Sequence, residues 1–214
     1  MLPRDEELDA LVRGASDLGV ALARSDASRL IHFLEMLYRW NRTSRLTNVQ
    51  RHDAVRLHLL DSLSAASLLT SGTAADLGTG AGLPGLPLAV VRPDVRFHLV
   101  ESNRRRCSFL HEAVREIGLT NAIVVETDVE SLARTSQTFN TVISRAFRPP
   151  AKFLDLAADL LPIGGRVIVM RGGDSSMPLA VRKSLIALEQ DLERRLELPL
   201  GGESRSLTVL RRVA

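Results

Sequence analysis

Ala74-Ala75-Asp76-Leu77-Gly78-Thr79-Gly80-Ala81-Gly82-Leu83-Pro84-Gly85 joins a short apolar run to a helix predicted over Pro84–Val91. Glycine is required where a chain turns through positive φ or where backbone must approach a ligand. A helix start beyond such a turn offers unpaired N–H groups and a positive dipole end. Two frames fit the turn. Gly80-x-Gly82-x-x-Gly85 matches the dinucleotide fingerprint, although Pro84 interrupts it. Asp76-x-Gly78-x-Gly80-x-Gly82 sets a carboxylate two residues before the first glycine. That acid would repel a pyrophosphate and suits a ligand with a cationic ammonium or sulfonium end. A tight turn that holds no ligand is the third reading.

Outward from this turn the period alternates. Strands are predicted at Ala74–Leu77, Phe97–Val100, Ile123–Glu126, Thr141–Ser144 and Arg166–Met170. Helices are predicted at Pro84–Val91, Arg104–Ile117, Pro150–Leu161 and Leu179–Glu189. Strand–helix alternation implies an α/β fold with a parallel sheet covered on both faces. Two last strands, Leu192–Leu198 and Ser206–Val213, flank Pro199, Gly201 and Gly202 and read as an antiparallel pair, making about seven strands. Upstream, Leu30, Leu34 and Leu37 give a helix over 26–42 with Ser25 or Asp26 as its cap. A further helix is expected over Asp53–Leu69. The expected organisation is an N-terminal helical segment, 1–71, and an α/β domain, 72–214.

The 214 residues are 45% hydrophobic and 25% charged, which argues against disorder and fibrous repeats. Aromatic residues are 4% of the chain, too few for a base-stacking surface. The lone cysteine, Cys107, excludes a disulfide framework and a multi-cysteine metal site. No signal peptide or membrane span is visible, so a cytoplasmic protein is expected. Net charge is only +3, but 26 of 28 basic residues are arginine. Arg39, Arg42, Arg45, Arg51 and Arg56 face one acid, Asp53, between residues 39 and 58. Arg104, Arg105 and Arg106 form a second cluster, and Arg145 and Arg148 a third. Local basic patches fit a phosphate-bearing partner, or simply solvated helix faces.

The carboxylate-led glycine frame resembles the first motif of Rossmann-like, S-adenosylmethionine-dependent methyltransferases. Glu101 ends the second strand, where an acid can accept from both ribose hydroxyls. Asp128 follows the third strand, which in that arrangement borders the adenine. After the fourth strand, Ile143-Ser144-Arg145-Ala146-Phe147 lacks the Asn/Asp-Pro-Pro-aromatic pattern of exocyclic-amine methylation. Cys107 lies on a stripe with Leu110, Val114 and Ile117 and reads as a core thiol, not as a nucleophile for carbon-5 methylation. A ring nitrogen such as guanine N7 needs neither base nor covalent step. His32, His52, His58, His98 and His111 show no metal-ligand spacing. His58 and Asp61 share a helix face, with capping or a core hydrogen bond as the bland account.

Trp40-Asn41, Leu46-Thr47-Asn48-Val49, His58-Leu59-Leu60-Asp61-Ser62, the loop from Asp76 to Gly85, Ile143-Ser144-Arg145-Ala146-Phe147 and the Gly172 turn occur in one order. Together they resemble the RsmG family, also called GidB, from about residue 30 to the C-terminus. The resemblance implies a Rossmann-like class I methyltransferase sheet of seven strands with an N-terminal helical extension. It implies methyl transfer from S-adenosyl-L-methionine to guanine N7 in the decoding region of 16S ribosomal RNA. Carried over by position, Gly78, Leu83, Val129, Glu130 and Arg145 would touch the cofactor. Gly80 and Gly82 of the loop, with Glu101 and Asp128, complete the expected cofactor set. Arg39, Arg42, Arg45, Arg145 and Arg171 are the expected substrate contacts, and no catalytic residue is assigned. The family usually has Lys-Gly after the fifth strand, where this chain has Arg171-Gly172. The expected partner is 16S rRNA or the small ribosomal subunit, with no metal or membrane and a monomeric chain. A nicotinamide-dependent oxidoreductase and a non-catalytic, cofactor-sensing RNA-binding module are the rival readings.

Overall fold

Two faces of one sheet divide the apolar residues of this chain. The computed structural model describes residues 3–145, 150–173, 180–183 and 186–214. The strands are β1 (Gly72–Leu77), β2 (Val95–Glu101), β3 (Ala122–Glu126), β4 (Thr141–Arg145), β5 (Arg166–Gly172), β6 (Ala180–Lys183), β7 (Ile186–Glu197) and β8 (Ser204–Arg212). Their order is β3-β2-β1-β4-β5-β8-β7-β6. β1 to β5 run parallel, and β8, β7 and β6 complete the sheet antiparallel. Seven of these strands give the expected Rossmann-like sheet. The eighth, β6, is a short edge strand.

Side chains alternate between faces with the two-residue period of a strand. Ala74, Phe97, Leu99, Ile143, Ile168 and Val209 join one core. Ala75, Val100, Val142, Val167, Val169 and Leu210 join the other. Helices α1 (Arg4–Asp17), α2 (Arg24–Ser44), α4 (Gly85–Val91) and α5 (Arg104–Glu116) cover the first face. Helices α6 (Val129–Leu132) and α7 (Pro150–Asp159) cover the second. Phe109 of α5 is fully buried, with its ring 6.2 Å from Phe33 and 5.8 Å edge-on from Trp40 of α2. The N-terminal helices therefore share a core with the sheet.

Three local expectations are corrected. The predicted helix over Leu179–Glu189 is replaced by strands β6 and β7, which pair Ala180 with Glu189 and Lys183 with Ile186; Leu179, Ser184 and Leu185 lie outside the described residues. Pairing of Leu188 and Glu189 to β8 as well as to β6 decides for the strand. The predicted helix over Asp53–Leu69 is broken into a 3-10 turn at Arg51–Asp53, a π-helical turn at Val55–Leu60, α3 (Asp61–Leu63) and a 3-10 turn at Ala66–Leu68. Ser62 and Ser64 hydroxyls donate back to the carbonyls of His58 and Asp61, competing with regular helix. Helix α2 begins at Arg24 without a side-chain cap, so neither Ser25 nor Asp26 caps it.

Replacing Phe109 by Ala should lower the unfolding free energy by about 3–5 kcal/mol. Urea titration would read this as a drop in midpoint at unchanged slope. A loss below about 1 kcal/mol would mean that the N-terminal helices are held elsewhere.

Candidate functional site

The turn after β1 is organised around a buried carboxylate. Asp76 is 1% exposed, and its Oδ2 accepts from Thr79 Oγ1 at 2.6 Å and Gly85 N at 2.8 Å. A Cβ on Gly85 would stand 2.7 Å from that oxygen and closer still to Leu99, so the fourth glycine is fixed by this approach of helix to strand. Gly78, Gly80 and Gly82 carry the turn through positive φ, at 67°, 59° and 80°. Among the described residues Asp76 Oδ1 is buried without a hydrogen-bond partner. Burial raises the carboxyl from its ordinary 3.8 to about 6, against the hydrogen bonds from Thr79 and Gly85 and the charge of Arg145.

Beyond the carboxyl ends of β1, β2 and β3 lies a cavity of about 240 Å3. Gly78, Val100, Glu101, Ser102, Arg106, Thr127, Asp128, Val129 and Glu130 line it. Glu101 is 6% exposed and accepts from Gly80 N at 3.1 Å and Asn103 N at 2.8 Å, tying the β2 end to the glycine turn. Arg106 Nη1 stands 3.5 Å from it. Asp128 caps α6, accepting from the Ser131 N–H at 2.7 Å and hydroxyl at 2.9 Å, and these bonds hold its carboxyl below the usual range. Of the expected cofactor residues, this cavity gathers Gly78, Glu101, Asp128, Val129 and Glu130. Gly80, Gly82 and Leu83 lie along the same turn behind it, whereas Arg145 does not line it.

Arg145 lines a second cavity, of about 360 Å3, at the ends of β4 and β5. Its other walls are Thr47, Val49, Leu57, His58, Asp61, Met170, Arg171, Gly172 and Arg205. The sheet's crossover between β1 and β4 separates the two cavities, the usual location for ligand sites in open α/β sheets. His58 Nε2 is 2.8 Å from Thr47 Oγ1, and Val49 N donates to that hydroxyl at 3.1 Å. Burial, then the Arg145 charge, lowers His58 to about 4, so the ring is neutral at pH 7. Arg171 donates to the hydroxyls of Ser206 and Thr208 across to β8.

Arg39, Arg42 and Arg45 are exposed at the end of α2 and line neither cavity. Arg104 and Arg105 are exposed at the start of α5, beside the first cavity. Cys107 is 1% exposed, donates to Glu101 O at 3.3 Å, and burial pushes its thiol up, as suits a core residue. Ala146, Phe147 and Arg148 lie outside the described residues. Sequence reasoning grouped Arg106 with Arg104 and Arg105 as a basic patch for phosphate, whereas it lines the first cavity beside Glu101; it missed Ser102 and Thr127 in that cavity and Arg205 in the second. Thr47, His58 and Asp61 lay within quoted motifs but had no role assigned. Among the described residues no group of three or more His, Cys, Asp and Glu is placed to hold a metal ion, and no helix is long and apolar enough to cross a membrane.

The sheet has counterparts among solved structures. TrmN from Thermus thermophilus superposes with a TM-score of 0.52 at 20% identity, over 71% of this chain and 49% of that one. Trm5b from Pyrococcus abyssi gives 0.51 at 12% identity, over 72% of this chain and 48% of that one. These likenesses establish the Rossmann-like α/β fold. The narrower assignment comes from sequence. The pattern of the GidB family, described as rRNA small subunit methyltransferase G, matches residues 26–207. Ribosomal RNA small subunit methyltransferase G of Methylococcus capsulatus is 43% identical over 163 residues, 76% of this chain and 79% of that protein. Its namesake in Nitrosospira multiformis is 38% identical over 210 residues, 94% of this chain and 96% of that protein. The chain belongs to the GidB family. The oxidoreductase and non-catalytic rivals draw no support from these matches.

Because Asp76 keeps its proton longer when folded, the folded state binds more protons between the ordinary 3.8 and about 6. Stability therefore falls as pH rises through that window. Asp76→Asn should remove this component, so the variant gains on the wild type by up to about 3 kcal/mol across it. Unfolding titrations at the two ends of the window would read the gain. Parallel stability curves would show that Asp76 does not titrate there.

Proposed function

We propose that this protein transfers a methyl group from S-adenosylmethionine to N7 of a guanine in the decoding region of 16S ribosomal RNA, acting on the RNA or the small subunit in the cytoplasm. The observation that carries this reading is the sorting of charge between two cavities in a chain of the GidB family. The first cavity is lined by three carboxylates, Glu101, Asp128 and Glu130, and one guanidinium, Arg106. The second is lined by three guanidiniums, Arg145, Arg171 and Arg205, and one carboxylate, Asp61. A cationic donor suits the first and an RNA backbone the second.

The residues fit such a donor. Glu101 already accepts from two backbone N–H groups, and its remaining lone pairs suit a ribose diol. Asp128 and the Val129–Glu130 backbone would border the adenine, and Gly78, Gly80, Gly82 and Leu83 the amino-acid end beside Asp76. When bound, the donor supplies an electrophilic sulfonium methyl. Guanine N7 attacks with a lone pair and loses no proton, so the site needs no general base, and neutral His58 is consistent with that. The chain then has to align the partners and exclude water. In this division of labour residues 72–214 hold the donor, while residues 1–71 close the second cavity and present Arg39, Arg42 and Arg45 to RNA phosphates. Arg145 and Arg171 face the RNA within that cavity.

Wild-type protein, labelled donor and undermethylated small subunits should yield label at one guanine N7 of 16S rRNA; label on another base class, or none, would overturn the reading. Exchanging Arg39, Arg42 and Arg45 together for Gln should flatten the log–log salt dependence of RNA binding by about 0.7–0.9 for each phosphate that is no longer neutralised. An unchanged slope would remove these three from the interface.

A further inference from the structure

Asp61 is the one carboxylate lining the second cavity, and it serves two arginines at once. Its Oδ2 accepts from Arg145 Nη1 at 3.0 Å, and its Oδ1 accepts from Arg205 Nε at 2.8 Å. Its side chain is 4% exposed, against 22% for Arg145 and 17% for Arg205. The three residues come from distant parts of the chain: the end of the π-helical turn, the end of β4 and the start of β8. Arg145 Nη1 also donates to Leu57 O at 3.0 Å, and Arg205 Nη1 to Ser204 O at 3.0 Å. Among the described residues, Arg145 Nε and Nη2 and Arg205 Nη2 meet no acceptor. Both guanidiniums are thus anchored through one edge and keep donors to spare.

We propose that Asp61 is a positioning residue that aligns Arg145 and Arg205 as a paired clamp on one phosphate of the RNA substrate. The inference rests on the rRNA methyltransferase reading. Two like charges sharing a cavity repel, and an anion between them fixes their separation and orientation. Arginine donors match phosphate oxygens in fork geometry. The guanine N7/O6 edge is the other habitual arginine partner. A donor on N7 would occupy the lone pair that must attack, so the clamp belongs on the backbone. Asp61 contacts neither RNA nor methyl donor, and its effect passes through the two arginines.

This role separates from bulk electrostatics. Asp61→Asn makes the cavity more positive, which by charge alone tightens RNA binding. Loss of alignment instead lowers turnover. With undermethylated subunits, Asp61→Asn should reduce kcat by about 100-fold, leave KM for the subunit unchanged or lower, and leave the dissociation constant for S-adenosylmethionine unchanged. Asp61→Glu should recover part of the lost kcat. Arg205→Gln, which keeps the Asp61–Arg145 pair, should lose kcat by a similar factor, and the double variant should lose no more than either single one. These two results keep the test open should Asp61→Asn fold poorly. Wild-type kcat in a folded Asp61→Asn or in Arg205→Gln, with guanine N7 still methylated by the wild type, would overturn the clamp alone. A wild type that leaves the subunit unmethylated would overturn the reading beneath it.

Discussion

A single carboxylate buried at the end of the first strand sets the geometry of the glycine turn that walls the first cavity. Asp76 reaches forward to the Thr79 hydroxyl and across to the Gly85 amide. It therefore closes the glycine turn at both ends. The first bond holds the turn against β1, and the second draws the start of α4 onto the sheet. Removing an ionised carboxylate from water is costly unless partners replace the solvent, and here one oxygen is satisfied and the other is not. The carboxyl's raised pKa records the cost of that burial. A site that carries such a cost in its own backbone turn has given up stability to hold a defined shape, a pattern common where ligands bind.

Glu101 extends the same constraint sideways. Its position at the end of β2 follows from register, since Val100 pairs with Leu77 and Glu101 lies one residue further on. Once there, it can take the Gly80 amide and the Asn103 amide together. The glycine turn is thus bracketed by carboxylates from two neighbouring strands. Leucine in place of either would take away the carboxylate that these N–H groups donate to.

What the sequence disclosed and what it withheld follow from the range of the contacts. The five parallel strands and the helices between them were legible because each is written in local periodicity. The glycine turn, Glu101 and Asp128 were legible because strand ends in such sheets converge on one edge. The β6–β7 hairpin was not, because pairing to β8, which is distant in sequence, holds it in the sheet. Helix α1 carried a usable signal in Asp5, Glu6 and Glu7 of its first turn and in the spacing of Leu8, Leu11 and Ala15, but no motif drew attention to it. The second cavity was the least legible feature. The two arginines bound to Asp61 there, Arg145 and Arg205, are 84 and 144 residues from it in sequence. His58 and Asp61 were paired by helical spacing, yet the segment between them is π-helical, and its wider turn aims both at the cavity.

The placement of the N-terminal segment turns this arrangement into a division of charge. Without Thr47, Leu57, His58 and Asp61, the end of β4 would open onto solvent, and Arg145 would be one more exposed cation. With them, its guanidinium is anchored on a buried carboxylate and a carbonyl. Water is then partly excluded, and charge acts over short distances in a medium of lower dielectric. The same sheet edge thus carries an acidic cavity on one side of the β1–β4 crossover and a basic one on the other. Each attracts what the other repels. On the proposed function, a cation on the acidic side and a polyanion on the basic side would meet at the carboxyl end of β4, whose last residue is Arg145.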